Sequence, residues 1–383
     1  MAERAEPGAS LVPAQVKGTV LTVRRVDAYY AMTVIAPGVA ARFRPGQFVA
    51  VAVGGPETSM LLRRAFSIHE VRPDHGGTVE FVFAVTGPGT RWLSERRTRD
   101  TLDVAGPLGR PFPLPRDPVN ALLVGGGYGS APLFALGDKL RGRGCAVDFL
   151  LGAASADRVF GALTARRTGR TAAITTEDGS MGIRGLVTDR LTQVIHEART
   201  DVIYACGPMG MLRQVTALAQ RYEIPVLTLV EESMACGIGV CMTCVLPVVG
   251  DDGVTRMVRS CVAGPVFRGD TVRWDDVGTI PFDALGAPGW NPRPHAAPAR
   301  SAVGHPATGG SAAGGATSTS ATANPNGPTR GANPSSTAGT SSGDTITRRP
   351  RNSTNPTSTA NPTSTVSGAA SDPGAARKER HGG

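Results

Sequence analysis

The sequence predicts a multi-domain chain in which an antiparallel β-barrel precedes an open α/β sheet, a small cysteine-bearing C-terminal domain and a disordered tail. Three observations carry this. Short β-branched runs punctuated by Pro and Gly fill residues 15–115, strand and helix patterns alternate over 116–230, and large apolar residues almost vanish after Trp290. The expected divisions are a flexible N-terminus over 1–14, the barrel over 15–115, the α/β domain over 116–230, the cysteine domain over 231–290 and the tail over 291–383.

In the first of these, the stretches 16–23, 31–35, 48–53, 65–69 and 79–85 read as strands, and several short strands at this spacing suggest a small barrel. Two features in it could carry chemistry. In Arg63-Arg64-Ala65-Phe66-Ser67, alternation puts Arg64 and Phe66 on one face. An arginine can grip a pyrophosphate with two parallel bonds, and the neighbouring Ser67 can hydrogen-bond a flavin ring; the plainer reading is a solvated edge arginine. The turn Gly87-Pro88-Gly89-Thr90 leads into a helix whose N-terminus could hold phosphate, against the plain alternative of a threonine N-cap.

From Val119 onward, strands over 120–124, 146–151, 172–176, 201–205 and 226–230 alternate with helices over 133–141, 157–164, 187–197 and 209–222. The first strand runs into Gly125-Gly126-Gly127-Tyr128-Gly129-Ser130-Ala131-Pro132, a glycine-rich turn that suits a dinucleotide phosphate in a Rossmann-like domain. The third position of the usual glycine pattern is Ser130, and no acid ends the second strand at Gly152-Ala153-Ala154. No basic residue follows until Arg158, so NAD is expected over NADP.

Cys236, Cys241 and Cys244 stand at C-x4-C-x2-C spacing, and Cys261 follows after sixteen residues. This is the plant-type pattern for a 2Fe-2S cluster held by four thiolates. Gly237 and Gly239 let the backbone wrap closely and turn N–H groups toward sulfur. Zinc or two disulfides are the alternatives. Zinc sites usually pair two C-x2-C-like knuckles, whereas one half here is C-x4-C and the last cysteine stands alone; disulfides need an oxidising compartment.

The formal charge of +9 is unevenly placed: residues 291–383 carry nine Lys/Arg against three acids and so supply +6 of it. The high isoelectric point therefore gives no ground for nucleic-acid binding by the folded part. Residues 1–12 lack the basic and apolar regions of a signal peptide, and no run reaches the roughly 18 apolar residues of a membrane span. With Cys145 and Cys206 left without a disulfide purpose, a reducing cytoplasm is the expected setting, with neither membrane nor nucleic acid as partner. The tail, built of Gly, Ala, Ser, Thr, Pro and Asn, cannot bury enough surface to offset its ordering entropy.

The order of these parts resembles the ferredoxin-reductase superfamily. Within it, Glu231 to Cys244 followed by Cys261-Val262-Ala263-Gly264-Pro265-Val266-Phe267 is similar to the electron-transfer subunits of two-subunit, NAD-dependent dihydroorotate dehydrogenases. The resemblance spans about residues 15–277. It implies that Arg64, Phe66 and Ser67 form the flavin motif, with Ala65-Phe66-Ser67 departing from the Pro-Ile-Ser often found there, and that Gly87, Gly89 and Thr90 form the FAD-phosphate turn. It implies that Gly125, Gly127, Gly129 and Pro132 form the pyridine-nucleotide loop, that Glu177-Asp178-Gly179-Ser180 and Cys206-Gly207-Pro208 lie near the nicotinamide, and that Cys236, Cys241, Cys244 and Cys261 ligate the cluster.

The implied activity, in pyrimidine biosynthesis, takes electrons from the FMN of a dihydroorotate dehydrogenase catalytic subunit through a 2Fe-2S cluster and FAD to NAD+, in a heterotetramer. The parts suit it: a nicotinamide exchanges two electrons, a cluster one, and FAD can do both. The sequence shows no acid–base set for a carbon substrate. The rival readings are a diaphorase subunit of a sulfhydrogenase, hydrogenase or transhydrogenase, an oxygenase reductase, and an iron–sulfur sensor without enzymatic activity.

Overall fold

The computed structural model describes residues 13–290 apart from 56, 57, 75 and 289; the expected flexible N-terminus up to residue 12 and the expected tail over 291–383 lie outside the described residues. Six antiparallel strands close the barrel in the order β1-β2-β5-β4-β3-β6: β1 (Ala14–Val26), β2 (Tyr29–Ile35), β3 (Phe48–Val51), β4 (Arg64–Arg72), β5 (Thr78–Phe83) and β6 (Thr101–Leu108). A short helix α1 (Pro37–Ala40) follows β2, and α2 (Pro88–Ser94) follows β5. Strand β6 adds to the five read from sequence, and it closes the barrel by pairing with both β1 and β3.

Strand β3 is buried on both faces, and its sequence Phe-Val-Ala-Val shows why. Val49 and Val51 point into the barrel core with Met32, Ile68, Phe81 and Leu102, while Phe48 and Ala50 point outward under Cys244 and Cys261. One strand therefore serves two cores. The alternating geometry of a strand makes this possible only when every residue is apolar.

The second sheet has seven strands ordered β10-β9-β8-β7-β11-β12-β15, formed by β7 (Asn120–Gly126), β8 (Ala146–Ala153), β9 (Thr171–Thr176), β10 (Ile183–Arg184), β11 (Val202–Cys206), β12 (Val226–Leu229) and β15 (Val266–Arg268). Its strands are parallel except β15, which runs antiparallel to β12. Helices α3 (Ala131–Arg141), α4 (Ala162–Thr168), α5 (Val187–Ala198) and α6 (Met209–Gln220) connect them. One apolar layer gathers Leu123, Phe134, Phe149 and Tyr204, and the other gathers Leu122, Leu150, Leu191 and Leu212, so the near-continuous apolar strands β7 and β8 face a core on each side. Helix α4 starts five residues later than the pattern predicts, because residues 156–158 form a single 3-10 turn at the mouth of the sheet.

The C-terminal segment contributes a hairpin, β13 (Val245–Val249) with β14 (Thr255–Arg259), and a one-turn helix α7 (Ser260–Ala263) carrying Cys261. Strand β15 then joins the α/β sheet, while Arg110 donates to the Gly264 carbonyl at 2.5 Å. The cysteine segment is thus wedged between barrel and sheet. No helix among the described residues is long and apolar enough to cross a membrane.

Candidate functional site

Two clefts and a cysteine nest meet where the barrel abuts the sheet. The larger cleft, about 580 Å³, runs from Arg64, Phe66 and Ser67 of β4, past Thr90 of α2, to Pro132, Cys206, Gly207 and Met234. Adjacent arginines are sorted by alternation. Arg63 turns to Asp103 (2.7 Å), which also receives Lys17 (3.0 Å), while Arg64 faces the cleft and donates to the Leu62 carbonyl at 2.6 Å. The Arg64 guanidinium lies across Gly89: a Cβ there would stand 3.0 Å from its Nε. A bare glycine and a guanidinium at a helix start form a cradle fit for a pyrophosphate.

Thr90 does not cap as the residue before the helix. It is the third residue of α2, and its Oγ1 accepts from the N–H groups of Thr86 (3.0 Å) and Gly87 (3.2 Å), fixing the turn in which Gly87 is half-buried and Gly89 is buried against Arg64. Phe66 is largely committed to the barrel core, stacked on Phe81 at 4.9 Å, so it forms the cleft wall with the edge that remains.

The second cleft, about 430 Å³, lies at the C-terminal ends of the parallel strands, lined by Gly126 to Gly129, Gly152 to Ala154, Arg158, Glu177 and Pro208. Close backbone approach explains the glycines. A Cβ on Gly129 would come within 2.8 Å of Gly207 Cα, and one on Gly125 within 2.5 Å of Ser130 Cβ. Gly127 has φ +56°, the left-handed region, and lies under the Tyr29 hydroxyl. Ser130, the departure from the glycine pattern, is buried with its Oγ 2.9 Å from the Gly127 carbonyl and 3.0 Å from that of Phe160, so it pins the loop.

Tyr128, Gly129 and Glu231 wall both clefts. The Tyr128 hydroxyl donates to Glu231 at 3.0 Å, and burial, reinforced by the Glu231 charge, raises its pKa well above the usual phenol range. The same two causes, burial first, raise the pKa of the Cys206 thiol above its ordinary value. Tyr128 sits inside the glycine-rich turn and Glu231 opens the cysteine segment, but nothing in either motif singles out these two side chains. Of the two segments that the resemblance groups together, Pro208 lines the same cleft as Glu177, while Cys206 and Gly207 line the other. Cys206 ends β11 and Glu177 follows β9, three strands away in the order β9-β8-β7-β11, or about 14 Å at the usual strand spacing.

The four expected ligands converge. Cys236 and Cys241 are half-buried with their sulfurs 3.3 Å apart, and Cys244 and Cys261 are buried over Phe48 and Ala50. All are free thiols, and a disulfide would need sulfurs about 2.05 Å apart. Gly237 and Gly239 take φ values of +71° and +83°, and Arg259 clamps the loop by donating to the Gly239 carbonyl. Burial would raise the Cys236 pKa, yet the N–H groups of Cys241, Ile238 and Val240 bring it below the usual value. The Thr243 hydroxyl and N–H lower Cys241 to about 6. Burial and then Cys244 push Cys261 up to about 12. Four converging sulfurs, three of them met by backbone N–H groups, fit an anionic iron–sulfur cluster, because those donors stabilise thiolate and sulfide charge.

Residues 231–273 match the family model described as the iron-sulfur cluster binding domain of dihydroorotate dehydrogenase B. The chain is 42% identical over 236 residues to the dihydroorotate dehydrogenase B (NAD(+)) electron transfer subunit of Geobacillus kaustophilus, covering 60% of this chain and 86% of that one. It belongs to that family. The Listeria welshimeri protein of the same name is 39% identical over 230 residues, covering 60% and 87%. Among solved structures, one described as the NADH-dependent reduced ferredoxin-NADP oxidoreductase superposes with a TM-score of 0.60 at 29% identity, covering 70% of this chain and 92% of that one. For a dihydroorotate dehydrogenase B electron-transfer subunit, a barrel cleft, a sheet cleft and a cysteine nest in contact make one continuous redox site.

Proposed function

We propose that this chain passes electrons from the FMN of a dihydroorotate dehydrogenase catalytic subunit, by way of a 2Fe-2S cluster and FAD, to NAD+. The observation that carries this is the position of the larger cleft. It shares Phe48 and Met234 with the packing around the buried cysteines, and it shares Tyr128, Gly129 and Glu231 with the nucleotide cleft. A flavin there would adjoin both of its redox partners. FAD supplies, when bound, exchange of two electrons with a nicotinamide and of one with a cluster.

The residues divide the work. Arg64, Gly87, Gly89 and Thr90 would hold the FAD pyrophosphate, with Phe66 and Ser67 at the ring. Gly125, Gly127 and Gly129 of the glycine loop would hold the nucleotide, with Pro132, Cys206 and Gly207, which line the flavin cleft, and Pro208 at the nicotinamide. Cys236, Cys241, Cys244 and Cys261 would ligate the irons.

Ile238, Val240, Met242 and Val262 surround the cysteine nest and are exposed, Val240 to 77%. Apolar side chains clustered on a polar surface mark a contact site. The proposed occupant is the FMN-containing catalytic subunit, two copies of each chain forming a heterotetramer in a reducing cytoplasm. The names of the relatives favour this reading over a diaphorase of another complex. Purified protein should contain one FAD, two irons and two acid-labile sulfides, and oxidise NADH with a dye acceptor. Stoichiometric zinc without iron would overturn the cluster assignment.

A further inference from the structure

Strand β9 ends at Thr176 and is followed by Glu177, and alternation puts Thr175 and Glu177 on one side of the chain. Both line the nucleotide cleft, while Thr176 turns away to donate to the Met181 carbonyl at 2.8 Å. Thr175 is 1% exposed, and its Oγ1 has no hydrogen-bond partner. It stands over Gly152 of β8, where a Cβ would come within 2.7 Å of the hydroxyl. Glu177 is exposed at the rim, anchored through its N–H to the Ala153 carbonyl at 3.1 Å. The floor of the cleft thus holds an unpaired hydroxyl, and its rim holds a carboxylate above it.

Sheet order says which part of a dinucleotide would meet them. The wall shared with the flavin cleft is made by Tyr128, Gly129 and Glu231, on the β7 to β12 side. A nicotinamide must sit at that wall to reach a flavin. The other half of the dinucleotide then runs across the glycine loop toward β8 and β9, where Thr175 and Glu177 stand. Resting on the proposed reading of this cleft as the NAD site, we infer that Glu177, with Thr175 beneath it, binds the hydroxyls of the adenosine ribose and thereby selects NADH against NADPH. A carboxylate accepts hydrogen bonds from a ribose diol. A 2′-phosphate offers it no such donor and adds negative charge beside it.

Arg158 is the counterweight. Its carbonyl accepts from the Tyr29 hydroxyl at 2.9 Å, and its side chain lines the same cleft. With the Glu177 charge removed, Arg158 is the cation a 2′-phosphate would meet. The acid that reads the ribose therefore stands after the third strand of the sheet, not after the second, where Gly152-Ala153-Ala154 offers none.

The test is calorimetric titration of the holoprotein, with FAD and iron content checked, using ADP-ribose and 2′-phospho-ADP-ribose as probes. Wild type should prefer ADP-ribose, and Glu177→Gln should shrink that preference by about tenfold or more, the worth of a hydrogen bond to a charged group. Glu177→Asp should keep the preference, and Thr175→Val should weaken ADP-ribose without strengthening its phosphorylated analogue. Adding Arg158→Ala to Glu177→Gln should remove any gain for the phosphorylated probe. If wild type binds and Glu177→Gln leaves the ratio unchanged, this assignment alone falls. If wild type binds neither probe, the reading of the cleft falls and the assignment with it.

Discussion

The phenolic oxygen of Tyr128 lies 3.0 Å from Glu231 Oε1, and these two side chains belong to both clefts at once. Tyr128 also packs against Tyr29, ring centroids 5.3 Å apart, so the pair is braced from the barrel side. This bond sits where the nicotinamide and flavin would meet. Tyr128→Phe should keep FAD and cluster but lower the rate of flavin bleaching by NADH about tenfold, the worth of a hydrogen bond to a charged group. Stopped-flow absorbance reads the effect, and an unchanged rate would remove the bond from the electron path.

The four converging cysteines should each be required for iron. Cys→Ser at position 236, 241, 244 or 261 replaces a soft thiolate by a poor donor for iron and sulfide. Iron and acid-labile sulfide should fall by more than half, while NADH oxidation with a dye that takes electrons from flavin persists. Cys145→Ser and Cys206→Ser should leave iron unchanged, because both thiols are buried away from the nest, Cys145 against the sheet and Cys206 at the cleft. Normal iron in Cys261→Ser would overturn the fourth ligand.

Asp103 links β6 to Lys17 of β1 and to Arg63, and so keeps Arg63 out of the cleft. Burial alone would raise its pKa, but hydrogen bonds from Arg63, Lys17 and Gln15 outweigh it and hold the carboxyl below the usual range. A folded pKa below the unfolded one stabilises at pH above the unfolded value and loses that contribution as pH falls through the folded value. Asp103→Asn should therefore lower stability by about 1 kcal/mol at pH 7, given the partly exposed partners. The difference between variant and wild-type Tm should begin to shrink below about pH 4, near the unfolded carboxylate pKa, and close as pH falls through the lower folded value. A difference that does not shrink at all between about pH 5 and about pH 2.5 would assign the loss to packing instead.

The exposed apolar rim gives a prediction about association. Val240→Asp places a charge at a position 77% exposed, so the fold should be unaffected while the proposed subunit contact is lost. Gel filtration with the FMN subunit should show at least tenfold weaker binding, with FAD and iron content normal. Unaltered association would move the interface elsewhere.

Much of this site is readable in the residues alone, and the reasons are specific. Cysteine spacing and glycine-rich turns are local constraints, so Cys236 to Cys261 and Gly125 to Gly129 announce themselves. Long-range pairings do not. Strand β6 hides because Asp103, Gly106 and Pro107 lower its strand propensity, and it exists because β1 and β3 lend it partners. Strand β15 is three residues long and is a strand only because β12 is beside it. In sequence, Glu177 and Glu231 stand out only through the family resemblance, as parts of longer segments and with no role of their own. Their place in the clefts follows from strand order, which periodicity does not supply.

The central claim is that this chain connects a dihydroorotate-oxidising flavin to NAD+ without itself acting on dihydroorotate. The most direct test is anaerobic NADH formation from dihydroorotate and NAD+ in a reconstituted mixture with the FMN-containing catalytic subunit, followed at 340 nm. The account predicts steady NADH production from the mixture and none from either subunit alone, with loss of the signal when Cys244→Ser replaces the wild-type chain. NADH formation by this chain alone, or its absence from the mixture while the chain still oxidises NADH with dye and reduces a hydrogenase or sulfur-reducing partner, would contradict it.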